Sequence, residues 1–511
     1  MSTRSDPPHP RDAARDALRD APLAMDAAAF RAAGHELVDL IAERLALIPG
    51  RPVTPGESPA TVRQVLDATA TLPEQGSDPR ALLRSACELL FDHSLFNGHP
   101  RFFGYITAAP APIGILGDLL AAAVNANVGA WRLSPIASEI ELQTLRWIAE
   151  LVGYPPDGGG LLVSGGNMAN TVGLLAARAA AHADVRTTGL RGSVTPQLVV
   201  YASAETHTWI QKAADLAGLG TDAIRWIPAD GQQRMETAAL RQAIERDRAA
   251  GHHPMMVVGT AGSVSTGAVD PLFEIADICK AAAVWFHIDG AYGGFAAAVP
   301  GASPALGALA LADSVALDPH KWLYAPLEAG AVLVRDRDRL RDAFAYHPPY
   351  YHFGQEATNF VDHGPQNSRG FRALKVWLAL RHVGRAGYVR MIGDDIQLSV
   401  ELAARVRGEP ELELATQSLS ITTFRYVPLD RRATVGSEAG EHYLNRLNEL
   451  LLERIQCSGE AFVSNAVVAG QFLLRACIVN FHTQAADVAA LPEIVVRLGR
   501  EEDRALRATA S

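Results

Sequence analysis

Only four of the 46 basic residues are lysine, at positions 212, 280, 321 and 375; the other 42 (46 minus 4) are arginine. An amine can form an imine with an aldehyde, and a guanidinium cannot. Each lysine in an unusual setting is therefore a chemical candidate. Lys321 lies in SVALDPHKW (314–322), after an apolar run, Pro319 and His320, and before Trp322. That placement suits a buried reactive amine. It suits equally a lysine whose stem snorkels to a surface ammonium. Lys212 and Lys280 fall in helical stretches and read as exposed, and Lys375 reads as an ordinary helix-surface lysine. Composition alone can explain the scarcity, because the chain is rich in Ala and Arg.

Three further segments carry groups that belong with such a lysine. VWFHIDGAYGG (284–294) ends an apolar run on Asp289, followed by Gly290 and Ala291. A strand-end carboxylate needs a partner. An arginine, a helix N-terminus or a protonated ring nitrogen would each serve. LLVSGGNMAN (161–170) passes from a strand through Gly165 and Gly166 into a helix. Glycines permit close backbone approach, and helix N-terminal amides can hold a phosphate. Alone, this is also a common tight turn. SAETHTWIQKA (203–213) places His207 at a helix start after a strand. Asp289 and Lys321 are 32 residues apart (321 minus 289) on consecutive strands. Together the four segments have what pyridoxal phosphate chemistry requires: a lysine for the imine, an acid for the pyridine nitrogen and amides for the phosphate.

The elements that must position these groups alternate. Strands are expected at 161–163, 198–202, 224–227, 255–259, 284–288, 314–316 and 331–334. Helical patterns at 169–181, 206–217, 235–249 and 272–281 lie between most of them. Such alternation implies an α/β fold with a mostly parallel sheet covered on both faces. Ligands of such sheets bind beyond the strand carboxyl ends, where these residues fall. A helix at 371–383 leads into a smaller α+β region. Its expected strands are 420–426, 461–466 and 472–481, and its helices 394–406 and 441–456.

The chain resembles the group II pyridoxal-phosphate-dependent amino acid decarboxylases, the family of aromatic-L-amino-acid and glutamate decarboxylases. The resemblance rests on HPRFFGY (99–105), the Gly-Gly turn, SAETH (203–207), TAGSVSTGAVDP (260–271), HIDGAYGG (287–294) and DPHKW (318–322). It runs from about His99 into the helix containing Lys375. It implies fold type I, the aspartate aminotransferase-like architecture, with pyridoxal 5'-phosphate as cofactor. It also implies that Lys321 is the cofactor-bearing lysine and that Asp289 pairs with the pyridine nitrogen. His207 would stack over the ring and Ala291 would pack beneath it. Gly166 and Asn167 would contact the phosphate, with Ser263, Ser265 and His320 as further cofactor contacts. Val264 stands where the family usually has a hydroxyl. Segment 345–362 resembles a lid, in which Tyr350 matches the tyrosine that protonates the carbanionic carbon; Tyr351 is its neighbour. Phe103, Tyr105 and Trp131, together with Phe102, would line an aromatic side-chain pocket, or they are core aromatics. Arg132 would recognise a carboxylate or pair with Glu139 or Glu141. The implied reaction releases CO2 and an amine from an L-amino acid, preferably aromatic. Acidic or basic substrates, an aldehyde-forming enzyme and an aminotransferase remain alternatives. A noncatalytic α/β binding protein is another, though no G-x-G-x-x-G follows a strand. The family also implies a homodimer, with the N-terminal helices embracing the partner.

Composition bounds the rest. The 511 residues carry 56 acidic groups and a net charge of −10. This excludes a basic face for general nucleic-acid or anionic-membrane binding. The expected partner is a small amino acid. The apolar stretch 111–128 is broken by Asp118, Asn125 and Asn127 and falls short of a membrane span. Four scattered cysteines give no C-x-x-C pair, no disulfide framework is suggested and no metal is expected. The N-terminus lacks the apolar core of a secretory signal, so the cytoplasm is the expected compartment. Expected divisions are a mobile tail at 1–22, a helical segment at 23–110, a large domain at 111–385 and a small domain at 386–511.

Overall fold

The computed structural model describes residues 21–190, 197–347 and 357–510. Two compact units divide the chain: Met1–Gly50 with Glu57–Ser94, and Arg51–Gly56 with Leu95–Ser511. The first unit holds α1 (Ala27–Leu47), α2 (Pro59–Leu66) and α3 (Pro79–Asp92). Each begins on a side chain that accepts a backbone N–H: Asp26 from Ala29, Ser58 from Thr61 and Asp78 from Ala81. Proline at the first position of α2 and α3 loses no helical hydrogen bond there.

The second unit is built on a seven-stranded sheet. Its strands are β1 (Gly159–Val163), β2 (Leu198–Ser203), β3 (Ile224–Ile227), β4 (His253–Thr260), β5 (Trp285–Asp289), β6 (Ser314–Leu317) and β7 (Gly330–Val334). Their order is β1-β7-β6-β5-β4-β2-β3, with β7 antiparallel to both neighbours and the remaining pairs parallel. Every expected strand is present, and the strand interiors are buried because both faces are covered. The helices of this layer are α4 (Pro112–Val124), α5 (Pro135–Val152), α6 (Gly166–Ala181), α7 (Val185–Thr188), α8 (Trp209–Leu216), α9 (Thr237–Ala249), α10 (Leu272–Ala282) and α11 (Asp338–Phe344).

The chain then enters α12 (Ala373–Gly408), two helices that meet at a kink, in keeping with the separate helices expected at 371–383 and 394–406. Gly384, at φ 67° and ψ 169°, interrupts its helical backbone. A second sheet of order β10-β11-β9-β8 follows, made of β8 (Leu412–Ser418), β9 (Ile421–Tyr426), β10 (Ser464–Val468) and β11 (Gln471–Cys477). It is fully antiparallel and packs with α13 (Glu438–Ser458) and α14 (Ala485–Ala510) around its own apolar core. The sequence reading has no β8 and no α14. Strand β8 is only partly buried over most of its length, so its apolar alternation is weak, and Pro492 sits inside α14. The strand expected to reach residue 481 ends at Cys477, after which the Ile478 N–H donates to the Ser420 carbonyl.

Lys375 is not a surface lysine. It is 4% exposed on α12 and its Nζ pairs with Asp118 of α4 at 3.0 Å. Gly117 makes room for it, since a Cβ there would lie 3.1 Å from the Lys375 Cα. Lys212 and Lys280 are exposed, as expected. Among the described residues no helix is long and apolar enough to cross a membrane.

Candidate active site

The carboxyl ends of β1, β4, β5 and β6 meet around a cavity of about 350 Å³. Lys321, Asp289, His207, Gly166, Asn167, Ala291, His320 and Tyr105 all line it. Their positions follow from the topology. β5 and β6 are parallel neighbours, so the segments that leave them emerge side by side. The turn after β1 faces both across β7.

Asp289 ends β5 and is buried. The Trp209 Nε1–H donates to its Oδ2 at 2.8 Å, and the Ala291 N–H donates to its Oδ1 at 3.1 Å. Both bonds hold its plane. Trp209 is a site residue that the sequence reading passed over, although it lies two positions beyond His207. The Trp209 N–H donates to His207 Nδ1 at 3.2 Å. That bond makes Nδ1 an acceptor and leaves the ring proton on Nε2 when the ring is neutral. Burial pushes the His207 pKa below the ordinary histidine value; Asp289 opposes that shift and Lys321 adds to it.

Lys321 lies beyond β6, and its Nζ pairs with Asp318 Oδ2 at 2.9 Å. Asp318 also faces His320 Nε2 at 3.6 Å, and its own Oδ1 is buried without a hydrogen-bond partner. His320 is held from its other side by the Ala329 N–H, which donates to Nδ1 at 3.2 Å, and burial lowers its pKa. Asp318 carries a legible signal, a carboxylate three residues before the lysine, that the sequence reading did not use.

The Gly-Gly turn forms the opposite wall. No side chain caps the α6 N-terminus among the described residues, so its first amides face the opening. A Cβ on Gly166 would come within 2.7 Å of Asp318 Oδ2 and 2.9 Å of the Ala291 Cβ. Only glycine allows this approach. The turn is tied down from below by Arg369, which donates to the carbonyls of Val128 and Leu162 and to the Glu141 carboxylate. Glu141 also accepts the Leu162 N–H at 2.9 Å. Thus Glu141 pairs with Arg369 and not with Arg132, and Glu139 accepts the Trp131 indole N–H.

Several expected contacts fall elsewhere. Ser263 is buried and bonded to Thr266 within its own loop, so it does not line the cavity; Val264 does. Ser265 hydrogen-bonds Glu205, outside the lining. Phe103 is fully buried in the core of the second sheet and Trp131 lies on the turn before α5, so neither ring reaches the cavity. Adjacent residues of an extended stretch point to opposite sides, and here Phe102 packs on Phe462 while Phe103 turns into that core. Tyr350 and Tyr351 lie outside the described residues. Tyr105 does reach the cavity, with 56% of its surface exposed and a backbone φ of 50°. Its strained backbone is held by two bonds: its N–H donates to Ser464 Oγ, and its carbonyl accepts from Arg475 Nη2.

Arg475 was not anticipated. It is 3% exposed on β11 and lines the cavity. It has no ion-pair partner among the described residues, and its Nε is buried without a hydrogen bond. The hydroxyl oxygens of Thr107 and Thr260, two residues that line this region, are also buried without a partner. Unsatisfied polar atoms of this kind indicate a polar, anionic ligand. The glycine cradle, the uncapped helix, the orphan Asp318 oxygen and the cationic wall fit pyridoxal phosphate with a bound amino acid.

Comparison with known proteins agrees. Residues 59–427 match the family model described as the pyridoxal-dependent decarboxylase conserved domain. The chain is 32% identical over 484 residues to the aromatic-L-amino-acid decarboxylase of Bacillus atrophaeus, covering 94% of this chain and 97% of that protein. Among solved structures, mouse CSAD superposes with a TM-score of 0.87 at 28% identity, covering 93% of this chain and 99% of that one. Oryza sativa TDC with PLP and tryptamine gives 0.86 at 29% identity, covering 94% and 99%.

Proposed function

The chain belongs to the pyridoxal-dependent decarboxylase family, and from that premise we propose that it converts an aromatic L-amino acid into the corresponding amine and CO2. Pyridoxal phosphate, when bound, supplies a carbonyl that captures the substrate amine and a ring that takes up the electron pair left by the departing carboxyl group. The rest falls to the protein. Lys321 is the amine that would hold the cofactor. Asp289, fixed by Trp209 and Ala291, would pair with its ring nitrogen. Neutral His207 would pack against its ring and presents Nε2–H to the cavity. Ala291 would support the ring, and the amides of Gly166 and Asn167 with His320 would hold the phosphate. Tyr350 delivers the proton to the substrate carbon, an assignment that rests on the sequence resemblance.

The observation that carries the reading is the convergence of Lys321, Asp289, His207 and the Gly166 turn on one cavity. Tyr105 and Ile106 on its wall, and the aromatic-L-amino-acid decarboxylase likeness, support an aromatic side chain. Arg475 favours a second reading, an acidic substrate whose side-chain carboxylate meets the unpaired guanidinium. Release of CO2 and amine should be measured across the common amino acids. Turnover of tryptophan, tyrosine, phenylalanine or dihydroxyphenylalanine is expected. Turnover of acidic substrates alone would install the second reading, and equimolar aldehyde and peroxide would overturn simple decarboxylation.

A homodimer is part of this proposal. Helix α4 leaves Leu116, Leu119, Leu120 and Val124 more than half exposed, and Leu133 and Ile136 lie exposed after it. A contiguous apolar face of this kind is rarely left to solvent. A second copy would cover it.

A further inference from the structure

We propose that Asp395, in the middle of α12, is a positioning residue for Lys321, acting through Trp322 and Tyr324. The inference rests on Lys321 being the cofactor-bearing lysine. Residues 318–325 belong to no helix or strand, so something outside the segment must fix it. Within it, the Lys321 N–H donates to the Asp318 carbonyl and the Tyr324 N–H to the Lys321 carbonyl. Those two bonds shape a turn, and its backbone is tied to its neighbours by the His320 N–H, which donates to the Ala329 carbonyl, and the Ala111 N–H, which donates to the Tyr324 carbonyl. The anchor of its side chains is remote in sequence. The Trp322 indole N–H and the Tyr324 hydroxyl both donate to Asp395 Oδ2, at 3.1 and 2.7 Å. Tyr388, also on α12, donates its hydroxyl to the Leu323 carbonyl at 3.1 Å. Helix α12 therefore grips three consecutive residues directly after Lys321.

The grip reaches the cavity by a second path. Trp322 stacks on Tyr292 with ring centroids 4.8 Å apart, and Tyr292 lines the cavity three residues after Asp289. Tyr292 is held in turn by Ser420, whose N–H donates to its hydroxyl at 3.0 Å. One buried carboxylate thus holds Trp322, the ring that stacks on Tyr292. Tyr324 holds a left-handed backbone, φ 53°, which persists only where its surroundings fix it.

The carboxylate is an expensive choice for such a post, because Asp395 is only 2% exposed. Burial raises its pKa to about 7, with the Tyr324, Trp322 and Asn480 hydrogen bonds opposing and Asp394 adding to the rise. The other titratable groups around it are Tyr324, Cys477 on β11 and, along the cleft beside it, Glu401 on α12; Tyr388 neighbours Tyr324. A cleft of about 320 Å³, lined also by Asp394, Gln397, Glu401 and Thr483, borders Asp395. The anion is the better acceptor for two donors. Protonation should therefore loosen the turn, and the site should hold its cofactor less tightly below neutrality.

The test uses the cofactor-loaded protein. The dissociation constant for pyridoxal phosphate is measured by absorbance from pH 5.5 to 8.5 for the wild type, Asp395→Asn and Tyr324→Phe, beside thermal midpoints. Asp395→Asn keeps an acceptor oxygen and loses the charge. It should weaken cofactor binding about tenfold at pH 8, as expected for a lost charged hydrogen-bond acceptor, and remove the loss of affinity that the wild type shows below about pH 7. Tyr324→Phe deletes one hydroxyl and should weaken binding about threefold while keeping the pH response. If Asp395→Asn lowers the thermal midpoint but leaves the affinity and its pH response as in the wild type, Asp395 is structural only and the proposal fails. Should Asp395→Asn not fold, an unchanged affinity in Tyr324→Phe has the same force. Lys321→Ala separates this from the parent reading: a retained visible band in that variant would unseat Lys321, whatever Asp395 does.

Discussion

At the residue scale, the site depends on one missing side-chain atom as much as on any group present. Gly166 lets the α6 amides come close to Ala291 and Asp318, whose neighbours a Cβ would press at 2.9 and 2.7 Å. Both contacts are tighter than van der Waals separation, and neither backbone can move freely. Gly166→Ala should therefore weaken pyridoxal phosphate binding by about tenfold or more, the scale of a displaced phosphate contact. Absorbance titration of the cofactor checks this, and an unchanged affinity would show that the turn does not hold the phosphate. The residues that sequence motifs single out, Lys321, Asp289 and His207, do converge. Their immediate partners, Trp209 and Asp318, sit inside the same motifs and were legible in principle. Arg475 was not. It is one of 42 arginines, and nothing in its local sequence marks its charge as buried without a counter-ion among the described residues.

At the element scale, β5 and α6 are joined by a fully buried histidine. His287 Nδ1 faces Ser314 Oγ at 2.8 Å, and Nε2 faces Asn170 Oδ1 at 2.7 Å. The Trp285 indole N–H donates to the same Ser314 oxygen, so the hydroxyl gives its proton to Nδ1, and Nε2–H donates to Asn170. Gly173 of α6 clears the ring, since a Cβ there would lie 2.9 Å away. The arrangement needs a neutral imidazole, and burial lowers the His287 pKa to about 4. The unfolded chain would protonate this histidine near 6.5, and the folded one only near 4. Between those values the unfolded state binds more protons, so stability is full above about pH 6.5 and is lost as pH falls. At pH 5 the loss from this group should be about 2 kcal/mol. Urea unfolding of the wild type and His287→Gln at pH 7.5 and 5 measures it. The variant should show a smaller acid loss by about that amount, and an equal loss in both would mean that His287 is not the group responsible. This neutral link also sets Asn170, a cavity-lining residue, from beneath the sheet.

At the scale of the whole molecule, the apolar face of α4 carries the assembly prediction. Leu119→Arg together with Leu120→Asp should leave the fold intact, because both side chains are more than half exposed. If a second copy covers this face, the double variant should be monomeric by light scattering where the wild type is a dimer. A dimeric variant would place the interface elsewhere. How much of this molecule was readable in advance follows from which forces are local. The strands around the cavity were legible because a doubly covered parallel sheet demands short continuous apolar runs, and each such run is visible without a fold. The family resemblance implied the roles of Lys321, Asp289 and His207, and the three meet because parallel strands bring their carboxyl ends to one side. β8 and α14 escaped because one is half exposed and the other contains Pro492, so local pattern and final structure disagree. Burial of Lys375, the withdrawal of Phe103 and Trp131 from the cavity, the unpaired Arg475 and the grip of Asp395 on the Lys321 turn were settled by contacts between distant segments. The sequence alone determined which chemistry the chain could perform, since residue types and strand ends are local properties. Tertiary structure decided which charges are paired, which aromatics reach the cavity and which residues the segment after Lys321 bonds to, because those depend on packing between residues tens to hundreds of positions apart.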